Sequence, residues 1–124
     1  MRPRIAVVED NPDNRLLLKT LLEDLYDLAE FETGLDAVEG LLEASPDLIL
    51  LDISLPGMDG REVLRWIRSQ YDLRSTPVVA VTAHAMAGDR ERFLSQGFDG
   101  YLTKPIVDES ELFDTISDCL GRQA

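Results

Sequence analysis

Residues 48–60 of the chain read LILLDISLPGMDG, an unbroken apolar run that ends at Asp52 and leads into a turn with proline and glycine. A continuously apolar run, as opposed to an alternating one, is typical of a strand that is buried on both faces of a parallel sheet. Two more such runs occur at residues 5–8 and 78–81, and two shorter or less apolar ones, expected at the sheet edges, at residues 27–32 and 100–103. The sequence therefore predicts five strands.

A segment with helical spacing follows each strand. The first helix is predicted from an N-cap at Asn11 and Pro12 at the first helical position. Its inward face is expected to be Leu18, Leu21, Leu22 and Leu25. The second helix is predicted from its cap, Thr33, to Ala44, with Gly40 weakening it. Its inward residues are expected to be Leu35, Val38, Leu41 and Leu42.

Three further helices complete the pattern. One begins after Gly60, with Val63, Leu64, Trp66 and Ile67 inward. The next covers residues 87–96 and ends at Gly97 as a C-terminal cap, and the last contains residues 112–120 and ends near Gly121. Five strands alternating with five helices predict an α/β fold, a three-layer sandwich with a parallel sheet in the middle. With 124 residues and no linker or repeat, we expect a single domain over residues 1–124.

The chain is strongly acidic. It has 24 acidic residues against 12 lysines and arginines, a formal net charge of −12. Such a surface repels phosphate backbones, so no direct nucleic-acid binding is expected. No apolar run reaches the roughly 18 residues of a membrane span, and no signal peptide is recognisable. The single cysteine, Cys119, suits a reducing compartment, so we expect a cytoplasmic protein.

Reactive side chains stand directly after four of the predicted strands. Glu9 and Asp10 follow the first, Asp52 the third, Thr82 the fourth and Lys104 the fifth. Ligands of an open α/β sheet bind beyond the carboxyl ends of its strands, so these residues should converge. Three carboxylates close together repel one another, so a bound cation is expected among them, and their oxygen ligands favour Mg²⁺. The set is suited to forming an aspartyl phosphate, because a carboxylate is the nucleophile and positive charge meets the phosphoryl oxygens.

Four motifs stand at these strand ends: Glu9-Asp10, the stretch DISLPGMDG at residues 52–60, Val81-Thr82-Ala83, and YLTKP at residues 101–105. Together they resemble the receiver domain of two-component response regulators. The resemblance covers the chain from about Arg4 to Leu120 and is specific, because all four motifs occur in order. It implies a flavodoxin-like sheet with the strand order 2-1-3-4-5.

The resemblance also implies a role for each matching residue. Asp52 corresponds to the phosphoacceptor. Asp10 corresponds to a direct Mg²⁺ ligand, Glu9 to one that usually acts through water, and the backbone carbonyl of Ser54 to the third protein ligand. Thr82 and Lys104 correspond to the hydroxyl and the ammonium group that contact the phosphoryl group.

Further positions are implied to modulate this site. Tyr101 corresponds to a switch aromatic that is exposed in one state and buried in the other, and moves together with Thr82. Pro105 follows Lys104 through a bond that is usually cis in this family. Ala83 corresponds to a small residue that admits the phosphoryl donor, and Ser54 and His84 to two variable positions that tune dephosphorylation.

The implied partners are proteins. A histidine kinase or histidine phosphotransfer protein would donate the phosphoryl group, and a downstream target would read the face built by the fourth helix, the fifth strand and the fifth helix. The domain would be a monomer or a phosphorylation-dependent dimer. It would not be an enzyme beyond slow self-phosphorylation from small donors and self-dephosphorylation. Because Met1 lies almost at the first strand, a stand-alone regulator is favoured over a receiver segment excised from a hybrid histidine kinase.

Two functions of other classes stay open. An aspartyl-phosphate phosphatase resembling the haloacid dehalogenases would have a general acid two residues after its nucleophile, where this chain has Ser54. A phosphorylation-independent adaptor usually lacks one of the acids or the lysine, and this chain has them all.

Overall fold

The computed structural model describes residues 2–55, 57–83, 86–104 and 109–121. Strands and helices alternate along the chain: β1 (Arg4–Val8), α1 (Pro12–Leu22), β2 (Asp27–Phe31), α2 (Gly34–Ala44), β3 (Leu48–Asp52), α3 (Gly60–Ser69), β4 (Val78–Thr82), α4 (Asp89–Ser95), β5 (Gly100–Thr103) and α5 (Glu109–Gly121). All strand pairs are parallel, and the strand order is β2-β1-β3-β4-β5. The predicted fold class and strand order are both confirmed.

The sheet is the middle one of three layers. Alternate residues of its central strands pack on opposite faces: one set contacts α2, α3 and α4, and the other contacts α1 and α5. β3 and β4 are buried along their whole length, which explains why their sequences are continuously apolar. No helix among the described residues is long and apolar enough to cross a membrane.

The ends of several helices are determined locally, as predicted. The Asn11 side chain accepts hydrogen bonds from the backbone N–H groups of Asp13 and Asn14 at the start of α1, and Thr33 caps α2. Gly97 follows α4 with φ of 109°, a conformation that favours glycine. The helix α4 itself is shorter than the predicted 87–96.

Three leucines predicted to face inward do not. Leu25 lies beyond the end of α1 and is 55% exposed, and Leu35 and Leu42 on α2 are 57% and 43% exposed. The inward face of α2 contains Ala37 and Leu41 instead, and a Cβ atom at Gly40 would lie 2.5 Å from the Phe31 ring. The helix sits so close to β2 that small residues are needed on that face, and the spacing of leucines does not reveal this distance.

Candidate functional site

The predicted site residues converge at the carboxyl edge of the sheet. Glu9 follows β1, Asp52 ends β3 and Thr82 ends β4, and these three strands are neighbours in the sheet. Lys104 follows β5, and its backbone N–H donates to the Thr82 carbonyl at 2.8 Å. Glu9, Asp52 and Thr82 are buried, whereas Asp10 is exposed. The fold therefore brings the four strand ends together as the sequence predicts.

Three carboxylates form a cluster at this edge. One carboxylate oxygen from each of Glu9, Asp10 and Asp52 lies within 4.8 Å of the other two. An open cleft of about 490 Å³ reaches the cluster, and its described lining consists of Asp10, Asn11, Asn14, Asp52, Ser54, Ala83 and Lys104. Mg²⁺ prefers hard oxygen ligands and keeps several of its waters, so a carboxylate cluster that opens to solvent fits this ion.

The Lys104 ammonium group lies against the two buried carboxylates. Its Nζ is 2.6 Å from Glu9 Oε1 and 2.9 Å from Asp52 Oδ2. Burial raises the pKa of Glu9, the hydrogen bond from Lys104 lowers it in part, and the charge of Asp52 raises it again. Burial alone would lower the pKa of Lys104, but its hydrogen bonds to Glu9 and Asp52 outweigh this effect and raise the pKa. Lys104 is therefore a cation that neutralises part of the cluster.

The two oxygens of Asp52 have different partners. Oδ1 accepts a hydrogen bond from the backbone N–H of Ser54 at 2.9 Å, while Oδ2 accepts one from Lys104. The loop that provides the Ser54 N–H is fixed by the start of α3, where a Cβ atom at Gly60 would lie only 2.7 Å from the Asp52 carbonyl oxygen. A glycine at the end of the DISLPGMDG stretch thus lets α3 begin against the backbone of Asp52.

Arg15 is a residue of this site that the sequence analysis missed. Its Nη1 donates to the carbonyl oxygens of Glu9 at 2.9 Å and of Asp10 at 3.2 Å, and its Nη2 donates to Glu32 Oε1 at 3.1 Å. The arginine therefore holds the loop that carries both acids. No spacing rule could indicate this, because the guanidinium group contacts backbone carbonyls and not the side chains that form the motif.

Tyr101 is half-buried beside the site. Its ring stacks on Phe93, with 5.6 Å between ring centroids and 23° between ring planes. Burial raises the pKa of Tyr101, and its hydroxyl oxygen has no hydrogen-bond partner among the described residues. Ala83 is exposed on the cleft, as is Ser54. His84 and Pro105, for which roles are implied, lie outside the described residues.

The chain is similar to known proteins over most of its length. The response regulator receiver domain family matches residues 5–117. The polar-differentiation response regulator DivK of Brucella ovis is 41% identical over 122 residues, which are 98% of each chain. The Sensor protein GacS of Pseudomonas syringae pv. syringae is 45% identical over 108 residues, or 84% of this chain, and the chain spans only 12% of the length of GacS.

A solved structure is similar over nearly the whole chain. It is the receiver domain of a sensor histidine kinase from Pseudomonas aeruginosa, with a magnesium ion coordinated in the active site cleft. Its sequence is 36% identical to this chain, and the two structures superpose with a TM-score of 0.86. The match covers 98% of this chain and 99% of the other. Together with the acidic cluster at the edge of a 2-1-3-4-5 sheet, these matches show that the chain belongs to the response regulator receiver domains of two-component signalling, a family of phosphoacceptor domains and not of classical enzymes.

Proposed function

We propose that this chain is a phosphoacceptor of a phosphorelay, in which Asp52 takes a phosphoryl group from a phosphohistidine on a histidine kinase or histidine phosphotransfer protein. The observation that carries the proposal is the environment of Asp52. Its side chain is 3% exposed, and each of its oxygens has one hydrogen-bond donor, yet it lines the open cleft. The carboxylate is thus held in one orientation and reached from one side, as an in-line transfer requires.

The transfer itself is balanced without a further reactant. An oxygen of Asp52 forms a bond to phosphorus while the P–N bond of the phosphohistidine breaks, and the released imidazole nitrogen recovers a proton from solvent. Mg²⁺, held by Glu9, Asp10, Asp52 and the backbone carbonyl of Ser54, would supply positive charge at the phosphoryl oxygens. Lys104 adds a second positive charge at the same place, since its Nζ already contacts Asp52.

The phosphorylated state would be read through Thr82 and Tyr101. Phosphorylation adds a charge of about −1.5 to −2 and three acceptor oxygens. Lys104 and the Thr82 hydroxyl move to meet these oxygens, and Tyr101, on the strand next to Thr82, responds to the space that Thr82 leaves. The output surface is the face of α4, β5 and α5. Ser54, Ala83 and His84 tune the phosphoryl lifetime.

The chain would act in the cytoplasm as a single receiver domain over residues 1–124, either as a monomer or as a phosphorylation-dependent dimer. The match to DivK over 98% of both chains supports a stand-alone regulator. The match to a 12% segment of GacS supports the alternative, a receiver within a hybrid kinase.

Intact-mass measurement after incubation with acetyl phosphate and Mg²⁺ tests the proposal. We expect the wild-type protein to gain one phosphoryl group, and we expect no gain in Asp52→Asn or in the presence of a chelator. Asp36→Asn, which removes an exposed carboxylate on α2, should be labelled like the wild type. Equal labelling of Asp52→Asn would refute the assignment of the nucleophile, and rapid turnover of a generic phosphate ester would favour a phosphatase instead.

A further inference from the structure

The basic residues of this acidic chain are concentrated in one region. Residues 60–97, from α3 through α4, hold six of the twelve lysines and arginines but only four of the twenty-four acids. The rest of the chain has six bases against twenty acids. The surface of α3 and α4 therefore differs in charge from the remainder of the molecule.

The arginines of α3 form a stripe. Arg61, Arg65 and Arg68 are spaced i, i+4 and i+7, so they share one side of the helix. Arg68 has structural contacts: it pairs with Asp99 at 2.8 Å and donates a hydrogen bond to the Gly97 carbonyl at 2.9 Å. Among the described residues, neither Arg61 nor Arg65 forms an ion pair. Because like charges at i and i+4 destabilise a helix, the stability of α3 does not account for this pair.

Arg61 is held in place without being neutralised. Its Nε donates to Gln96 Oε1 at 3.2 Å, and its guanidinium carbon lies 5.1 Å from the centroid of the Phe93 ring. Arg61 and Arg65 flank a cleft of about 260 Å³, whose other described lining residues are Leu64 and Gln96. An arginine that is ordered by a neutral amide and a ring keeps its charge for a ligand and loses little conformational entropy on binding.

We propose that this arginine face, formed by Arg61 and Arg65 around the cleft, docks an acidic peptide segment of a partner protein. Guanidinium groups bind carboxylates through charge-assisted, often bidentate hydrogen bonds. The Debye length is about 8 Å at physiological ionic strength, so a short segment in the cleft interacts mainly with the local arginines. A nucleic acid would extend onto the acidic remainder, and a second copy of this chain would bring its own charge of −12. The docking does not depend on phosphorylation of Asp52.

Fluorescence anisotropy with a fluorescein-labelled octaglutamate peptide tests the proposal on the unphosphorylated protein. We expect the affinity for octaglutamate to fall as the salt concentration rises. We expect it to be about tenfold weaker in Arg61→Gln/Arg65→Gln, because two exposed ion pairs are lost. Arg61→Lys/Arg65→Lys, which keeps the charges but removes the bidentate hydrogen bonds, should bind with an affinity between those of the wild type and the Gln variant. Lys19→Glu is the matched control, because it changes the net charge by the same −2 on α1, in the opposite layer, and should bind like the wild type.

Three results would overturn the proposal. The first is octaglutamate binding that is absent from the wild type or equal in Arg61→Gln/Arg65→Gln, with circular dichroism showing that the variant is folded. The second is equal binding of an octaglutamine peptide or of a single-stranded DNA octamer, which would mean that no acidic peptide is selected. The third is a wild-type dimer in sedimentation velocity that Arg61→Gln/Arg65→Gln abolishes, which would make the face a contact between two copies of this chain.

Discussion

Replacing Lys104 with methionine removes the ammonium group that contacts two buried carboxylates while keeping a side chain of similar length. In the wild type, Nζ lies 2.6 Å from Glu9 Oε1 and 2.9 Å from Asp52 Oδ2, and the side chains of both acids are 3% exposed. Breaking a buried ion pair by removing one partner costs about 3–5 kcal/mol. Because the Lys104 side chain is 13% exposed at an open cleft, we expect the lower end, about 3 kcal/mol in the absence of metal.

The loss should depend on pH in a definite direction. Burial already raises the pKa of Glu9 above its ordinary value of 4.5, and the variant lacks the hydrogen bond from Lys104 that opposes this rise. A carboxyl with a higher pKa in the folded state binds its proton more tightly there, so the variant loses stability as the pH rises above about 4.5. In the wild type, the stabilisation that comes from the charge of Lys104 ends at high pH. It is present below pH 10.5 and is lost as the pH rises through the raised pKa of Lys104 in the folded state.

Urea unfolding in EDTA, followed by the fluorescence of the single tryptophan, Trp66, measures the difference. The gap between the wild type and Lys104→Met should be larger at pH 8 than at pH 5, and Lys19→Met, which removes an exposed lysine, should show no gap. Mg²⁺ at 100 times the Kd of each protein should stabilise the wild type and the variant alike by about 2.7 kcal/mol, because the ion binds only the folded state. A gap below about 1 kcal/mol at pH 8 in EDTA, or one that does not change with pH, would refute the reasoning.

Three further substitutions test other contacts of the site. Arg15→Gln should weaken Mg²⁺ binding about tenfold or more, because contacts that orient metal ligands are worth that much. Glu32→Gln, which removes only the exposed partner of Arg15, should change the affinity less than about twofold. Titration calorimetry compares the two variants, and equal effects would contradict the role given to the carbonyl contacts. Gly60→Ala should lower the free energy of unfolding by about 2 kcal/mol, because the added Cβ would overlap backbone atoms. The same substitution should slow labelling by acetyl phosphate. Gly121→Ala, where an added Cβ meets open space, should change neither the stability nor the labelling rate. Tyr101→Phe should leave the free energy of urea unfolding unchanged or raise it by up to about 1 kcal/mol, since the hydroxyl is buried without a partner among the described residues; a fall of that size would mean that the hydroxyl is hydrogen-bonded.

The sequence was least informative about how closely the helices sit on the sheet. Leucine spacing placed Leu35 and Leu42 on the inner face of α2, but the structure exposes them. The close face contains Ala37, which is buried, and Gly40, where an added Cβ would lie 2.5 Å from the Phe31 ring. The spacing of hydrophobic residues indicates that a helix has a buried side. The volume of its side chains indicates which side packs most closely on the sheet.

The candidate site shows which local contacts a sequence pattern can and cannot indicate. Asn11 and Thr33 were predicted as caps because a cap contacts backbone groups only two or three residues away. Arg15 was not predicted, because its partners are carbonyl groups, which every residue has. The roles of Asp52, Thr82 and Lys104 in phosphoryl transfer stay predictions that the experiments above test.

The sequence by itself determined the α/β class and the set of acidic, hydroxyl and ammonium groups at the carboxyl ends of the strands. It could do so because a strand covered on both faces must be continuously apolar, and because the residue after such a run must lie at the edge of the sheet. Only the tertiary structure decided that Lys104 contacts Glu9 and Asp52 at once, that Arg15 holds the acidic loop, and that Arg61 and Arg65 have no acidic partner among the described residues. The contacts of Lys104 join residues far apart in the chain. The other two features depend on how loops and helices pack against one another, which no local pattern encodes.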